Sequence, residues 1–404
     1  MISARVRTNG FIFALASGGT LRAAVGLVML MAAGPVPAQI TTRDDKVGRM
    51  LNEWHAKGRA AGLASITYEN RDGGHSPLNT AQYPQLQVFK PGEKSGNLKG
   101  PAEMLRQAPT IGNCSMAAPA VNGGSLPRFY QISPKGAQFL MLQYVANQLF
   151  VYPEHQDYDI GANGIGGYGD LYPVNSATTL ISQGSSGSDL PFVNAILTTI
   201  AALPPDTQDI LIQSRILMPT VQSIFRQSNR MVVSEEDYFT GAAHPPVFNA
   251  SRLDEEKMIL TANDMTPAKI PPMVQIQVKE ETALDAGRHY FESPEAVAWK
   301  LADTPVAIAR IMRGNVSEYE ISLTAVKSGD RLRRPLQVRW QLLQGRADSV
   351  QIVPSESGTE ARVRVRWQPP IITATGVRSH RTDIGVFATN GISTSAPAFI
   401  SLYQ

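Results

Sequence analysis

A short apolar segment, Thr178 to Ser182, runs into the turn Gln183-Gly184-Ser185-Ser186-Gly187-Ser188-Asp189 and then into a helical pattern from about Leu190 to Leu203. Strand, glycine-rich turn and helix in that order make a unit of α/β structure. The neighbouring sequence supports it. Ser133-Pro134 places a capping residue before a proline at the first helical position, and the apolar content from Phe139 to Val145 carries that helix to about Gln148. Leu149 to Tyr152 then reads as a second strand. Pro204-Pro205 interrupts the helix after the turn. Asp206 to Ile216 and Pro219 to Met231 read as two more helices. Earlier, Asp44 to Lys57 carries Val47, Met50, Leu51 and Trp54 at helical spacing. The rest of residues 39–130 reads as loop-rich. Two strands do not by themselves specify a doubly wound sheet, so residues 39–245 are expected to form an α/β or α+β domain.

The pattern changes farther along. Residues 246–304 are punctuated by Pro246, Pro267, Pro271, Pro272 and Pro294 and read as a linker. Met273 to Lys279 alternates within it and could be the first strand of the C-terminal domain. From Pro305 the chain alternates as strands do: Tyr319–Val326, Leu336–Leu343, Val350–Val353, Ala361–Trp367, Asp383–Ala388 and Ala398–Tyr403, separated by glycine-containing turns. Six strands at this spacing fit an all-β immunoglobulin-like sandwich over residues 305–404. The Val338-Arg339-Trp340 strand, the Asp383–Phe387 strand with its Asn390-Gly391 turn, and the closing Ala398-Phe399-Ile400 strand resemble a PKD or related Ig-like module. The whole layout resembles that of uncharacterised secreted bacterial proteins. The resemblance covers about a quarter of the chain and implies a fold, with no activity attached.

Residues 1–38 read as a signal peptide. Arg5, Arg7 and Arg22 supply positive charge, and Ala23 to Ala33 is apolar but shorter than the ~20 residues that span a bilayer. Val36-Pro37-Ala38 sets small residues where a signal peptidase reads, before Gln39. Without that segment the chain has 34 Lys and Arg against 34 Asp and Glu, which removes any argument for nucleic-acid binding. Charge is uneven: residues 39–305 hold 21 basic against 27 acidic, and residues 306–404 hold 13 against 7. Arg362, Arg364 and Arg366 fall on one strand face, readable as a solvated face or as a docking surface for an acidic glycan. The single cysteine, Cys114, allows no internal disulfide.

Candidate chemistry concentrates between Leu149 and Phe192. If the strand continues, His155, Asp157 and Asp159 share one face. An imidazole and two carboxylates begin a divalent-metal site for Ca, Zn or Mn, with His75 as a further ligand; the plainer reading is a solvated acidic loop. Gly161 to Gly169, ending at Asp170, is glycine-rich but comes after an acidic segment, so it is no dinucleotide fingerprint. Asp170, Tyr168 and Asp72 are candidate substrate contacts. In the turn, Ser185 has Gly187 two residues on but Gln183 two residues before, half of a nucleophile elbow. A serine nucleophile would take His244 as its base, with His155 and Asp157 the other acid–base candidates. Gly184 and Ser186 would cradle an anion or oxyanion at the helix start. Helix capping by Ser188 or Asp189 would use the same residues.

These features lead to an expectation of an exported hydrolase, periplasmic or secreted, acting on an extracellular glycan or ester, with a divalent metal as a candidate cofactor. The alternative is a non-catalytic surface or carbohydrate-binding protein with a calcium-stabilised face. The export reading predicts that N-terminal sequencing of the mature protein begins near Gln39; recovery of Met1 from the cytoplasm would remove it.

Overall fold

Five short strands that all run the same way carry the N-terminal half. In the computed structural model, residues 39–71, 75–89, 109–114, 134–154, 174–284, 299–312, 317–373 and 378–404 are described. The strands are β1 (Thr67–Arg71), β2 (Gln87–Phe89), β3 (Thr110–Cys114), β4 (Gln148–Glu154) and β5 (Leu180–Gln183). They lie in the order β2-β1-β3-β4-β5, and every pair is parallel. Phe248 extends the sheet past β5. Its N–H donates to Ile181 O at 2.7 Å, and its carbonyl accepts from Gln183 N at 2.7 Å. All carboxyl ends therefore meet at one edge. The strand order reverses between β1 and β3, and in open α/β sheets ligands bind at that edge beside such a reversal.

The helices are α1 (Lys46–Ala56), α2 (Pro134–Val145), α3 (Leu190–Ala202), α4 (Pro205–Gln213), α5 (Leu217–Gln227) and α6 (Glu255–Asn263). α1 begins where Asp45 Oδ1 accepts Gly48 N at 2.8 Å, and α6 where Asp254 Oδ1 accepts Lys257 N at 2.9 Å. α3 is apolar and buried almost all round, as a helix at the centre of a core must be. It packs on β3, α1 and α6. Phe192 of α3, Phe225 of α5 and Phe248 meet edge to face, with centroids 4.7 to 6.4 Å apart.

The C-terminal half is built from β6 (Gln277–Glu281), β7 (Lys300–Thr304), β8 (Ala307–Ile311), β9 (Glu318–Thr324), β10 (Gln337–Gln344), β11 (Val350–Pro354), β12 (Glu360–Arg366), the small ribbon of β13 (Ile371–Ile372) and β14 (Arg378–Ser379), β15 (Arg381–Thr389) and β16 (Ala398–Tyr403). They form one sheet in the order β10-β15-β16-β8-β7 and another in the order β11-β12-β9-β6. All pairs are antiparallel except β16 with β8. The proline-rich stretch 246–304 thus supplies α6 and then a strand to each sheet.

Alternation sets the faces of these sheets. On β12, Ala361, Val363 and Val365 are buried, while Arg362, Arg364 and Arg366 point outward. The arginine face is compensated by its neighbours on β9: Arg364 pairs with Glu320 at 2.8 Å and Glu318 at 3.4 Å, and Arg362 with Glu320 at 3.5 Å. The two sheets are joined by ions. The fully buried Arg310 of β8 donates through Nε to Glu281 Oε2 of β6 at 2.6 Å, and Tyr319 of β9 donates to the same oxygen at 2.6 Å. Burial would raise the Glu281 carboxyl, but hydrogen bonds from Arg310, Lys300 and Tyr319 outweigh it and hold the group below its usual range.

The two halves share buried contacts. α2 packs on β7. Asn175, just ahead of β5, donates from its backbone N–H to Ser401 Oγ at 2.8 Å and from Nδ2 to His244 O at 3.0 Å and Asp383 Oδ2 at 3.3 Å. Among the described residues no helix is long and apolar enough to cross a membrane.

Close approach in the parallel sheet depends on one glycine. A Cβ at Gly112 of β3 would fall 2.0 Å from Glu69 O and 2.9 Å from the Phe150 ring. Gly112→Ala should therefore cost about 3 kcal/mol by overpacking, read as a lowered urea midpoint. Gly329→Ala, where a Cβ meets nothing within 4 Å, should stay within about 0.5 kcal/mol of wild type.

Candidate active site

The carboxyl edge of the parallel sheet gathers the polar turns. After β1 the chain is held by a series of side-chain bonds. Tyr68 OH donates to Asn113 Oδ1 at 2.7 Å, Asn113 Nδ2 donates to Ser76 O at 2.9 Å, and Asn70 Nδ2 donates to His75 O at 2.9 Å. Ser76 is buried and adopts φ 47, a left-handed conformation uncommon outside glycine. Its Oγ accepts the N–H of Gly187. The turn after β1 and the turn after β5 are thus bonded to each other. His75, beside Ser76, is exposed.

The second turn is shaped by Gly184 at φ 129 and Gly187 at φ 98, backbone that residues with a Cβ rarely adopt. Between them Ser185 and Ser186 are exposed. Ser188 N donates to Ser185 O at 3.0 Å, and Ser188 Oγ lies 3.0 Å from Ser182 Oγ beneath the turn. The backbone N–H groups of Gly184, Ser185 and Ser186 make no hydrogen bond among the described residues. Asp189 is buried at the N-cap position of α3, but its side chain does not cap the helix, so the capping expected of it is not its part here. Three free N–H groups in succession beside a helix start suit an anion or an oxyanion.

At the reversal of strand order, Glu69 and Arg71 form a buried pair at 2.9 Å, and the Arg71 guanidinium lies 4.6 Å from the Phe150 centroid. β4 ends at Glu154, in register with Gln183. The expected ligand and substrate residues beyond it, His155, Asp157, Asp159, Tyr168 and Asp170, lie outside the described residues, as does Asp72. Among the described residues, no group of three or more His, Cys, Asp or Glu is placed to hold a metal ion.

His244 takes a place different from that of a base beside Ser185. It is 2 % exposed. Its Nε2 donates to Tyr238 O, and its Nδ1 accepts from Arg226 Nη1 at 3.4 Å. Phe387 and Tyr238 crowd the ring, with centroids 5.2 and 4.9 Å away. Both nitrogens are thus used inside the protein, and the imidazole is the neutral Nε2–H tautomer. Burial, then the charge of Arg226, drives its pKa well below the usual 6.5. Among the described residues, the exposed histidine at the edge is His75.

Ser76, Asn113 and Tyr68 were not among the residues that motif spacing singled out. Their roles arise from a parallel register and a left-handed serine, and neither is written in local pattern. A hollow of about 570 Å³ on the C-terminal sheets is lined by Lys279, Ser322, Arg362, Arg364 and Glu360. Its Lys279 is paired with Glu360 at 2.9 Å, as its arginines are with Glu320. No protein-family model matches the sequence, and no curated protein matches it.

The buried histidine predicts a pH dependence. His244 binds no proton in the folded protein at a pH where the unfolded chain begins to, so stability is full above about pH 6.5 and is lost as pH falls below it. His244→Asn keeps a donor and an acceptor but cannot titrate. Below pH 6.5, wild type should lose up to about 1.4 kcal/mol per pH unit more than this variant. Parallel urea-unfolding curves from pH 7 to pH 5 would contradict that.

Proposed function

We propose that this chain is an exported hydrolase whose substrate, a glycan or an ester, is bound at the carboxyl edge of the parallel sheet. The observation that carries the reading is the pair of exposed serines on a glycine-bounded bend between strand and helix, beside three N–H groups with no partner among the described residues, and tied through Gly187 to the turn that bears His75. In this reading, for an ester, Ser185 Oγ attacks the carbonyl carbon while His75 takes its proton. The ester C–O bond then breaks, the alcohol leaves carrying that proton, and water hydrolyses the acyl-serine to release the acid and restore Ser185. The N–H groups of the turn stabilise the oxyanion that forms. The substrate enters beside the strand-order reversal, where Glu69 and Arg71 lie below. The C-terminal sheets form an Ig-like sandwich that supports the site domain and carries a charge-balanced outer face.

The test is covalent labelling with a fluorophosphonate, in which the serine oxygen bonds phosphorus and fluoride leaves. The tryptic peptide containing Ser185 should carry the label. Ser185→Ala should abolish labelling with an unchanged melting midpoint, and His75→Ala should slow it by on the order of a hundredfold. Absence of any label, with glycan binding retained in Ser185→Ala, would favour a non-catalytic binding protein instead.

A further inference from the structure

Arg226 on α5 is wholly buried, and no carboxylate pairs with it among the described residues. Its Nε donates to Gln222 Oε1, one helical turn back, at 3.1 Å. Its Nη1 donates to His244 Nδ1 at 3.4 Å. The guanidinium lies 5.1 Å from the ring centroids of Phe248, at the flank of the parallel sheet, and Phe399 of β16. It therefore sits in the seam between the two halves. Burial pulls its pKa down to about 10, so it remains charged at neutral pH. A buried charge without a counter-charge is costly.

Two donors are left over at this point. Arg226 Nη2 and Gln222 Nε2 are both buried and have no acceptor among the described residues. They belong to side chains already bonded to each other, so they are neighbours. A water placed there would accept from both but would leave the guanidinium charge without a counter-charge. An anion accepts without donating and cancels the charge as well. We propose that Arg226 and Gln222 hold a small monovalent inorganic anion of the halide class in the seam between the α/β half and the C-terminal sheets.

The anion binds the folded protein and has no such site in the unfolded chain, so it stabilises by mass action. Thermal unfolding of the full mature chain should be followed at constant ionic strength while chloride replaces gluconate. The midpoint should rise by about 3 °C over a hundredfold range of chloride above the dissociation constant. Gln222→Glu puts a tethered carboxylate beside Arg226, and its midpoint should no longer respond to chloride. Crystals grown in bromide should show an anomalous peak in contact with Arg226 Nη2, a readout that stands if the variant does not fold. A wild-type midpoint indifferent to chloride, a chloride response that survives in Gln222→Glu, or bromide crystals without the peak would overturn the proposal.

Discussion

The parallel pairing of β1, β3, β4 and β5 is the constraint on which the site depends. Parallel strands send every chain exit to the same edge, so turns distant in sequence become neighbours without any contact designed for that purpose. The register then fixes which residues stand there: Glu154 opposite Gln183, and Asn113 opposite Asn70. Gly112 lets β3 lie close to β1. The Tyr68–Asn113–Ser76 bonds hold the first turn to β3, and Ser76 Oγ ties it to the second through the N–H of Gly187. The N–H groups of Gly184, Ser185 and Ser186 have no partner among the described residues. The chemistry proposed for Ser185 uses this edge and would have no oxyanion donors without it.

A second set of buried polar groups joins this sheet to the C-terminal sheets. Asn175 bonds at once to His244 O, Asp383 and Ser401. Asp383 also accepts Arg381 Nε at 2.8 Å and Ser401 Oγ at 2.8 Å. Such networks fix one relative arrangement because any sliding leaves buried groups unpaired. His244 belongs to this seam. Its imidazole separates Tyr238 from Arg226 and is kept neutral by burial, so a histidine in a polar-looking His-Pro-Pro turn serves the seam between the two halves.

Much of the architecture was legible in the sequence. The helical spacing of Val47, Leu51 and Trp54, the prolines around α3 and α4, and the alternation of β9, β10, β12, β15 and β16 each match an element. The half that was not legible has a physical cause. β1 and β3 read Thr-Tyr-Glu-Asn-Arg and Thr-Ile-Gly-Asn-Cys, polar sequences that look like loop. They are buried because their polar side chains are bonded to one another rather than to water. Local pattern counts apolar residues and misses such strands. The serine turn was visible through its glycines, whereas its partner Ser76 was not. The arginines of β12 could be placed on one face, but the glutamates that neutralise them come from β9, which only the strand pairing reveals.

The proposed site stands on the bond between the two turns. Ser76 would act through Gly187 and touch no substrate, so its removal should disturb the site without unfolding the protein. The direct measurement is the rate of fluorophosphonate labelling at Ser185 in Ser76→Ala, taken beside the melting midpoint of the same sample. The prediction is a rate lowered by roughly tenfold or more through misplacement of the turn, with the midpoint close to that of wild type. A wild-type labelling rate in Ser76→Ala would contradict the claim that these two turns together build the site.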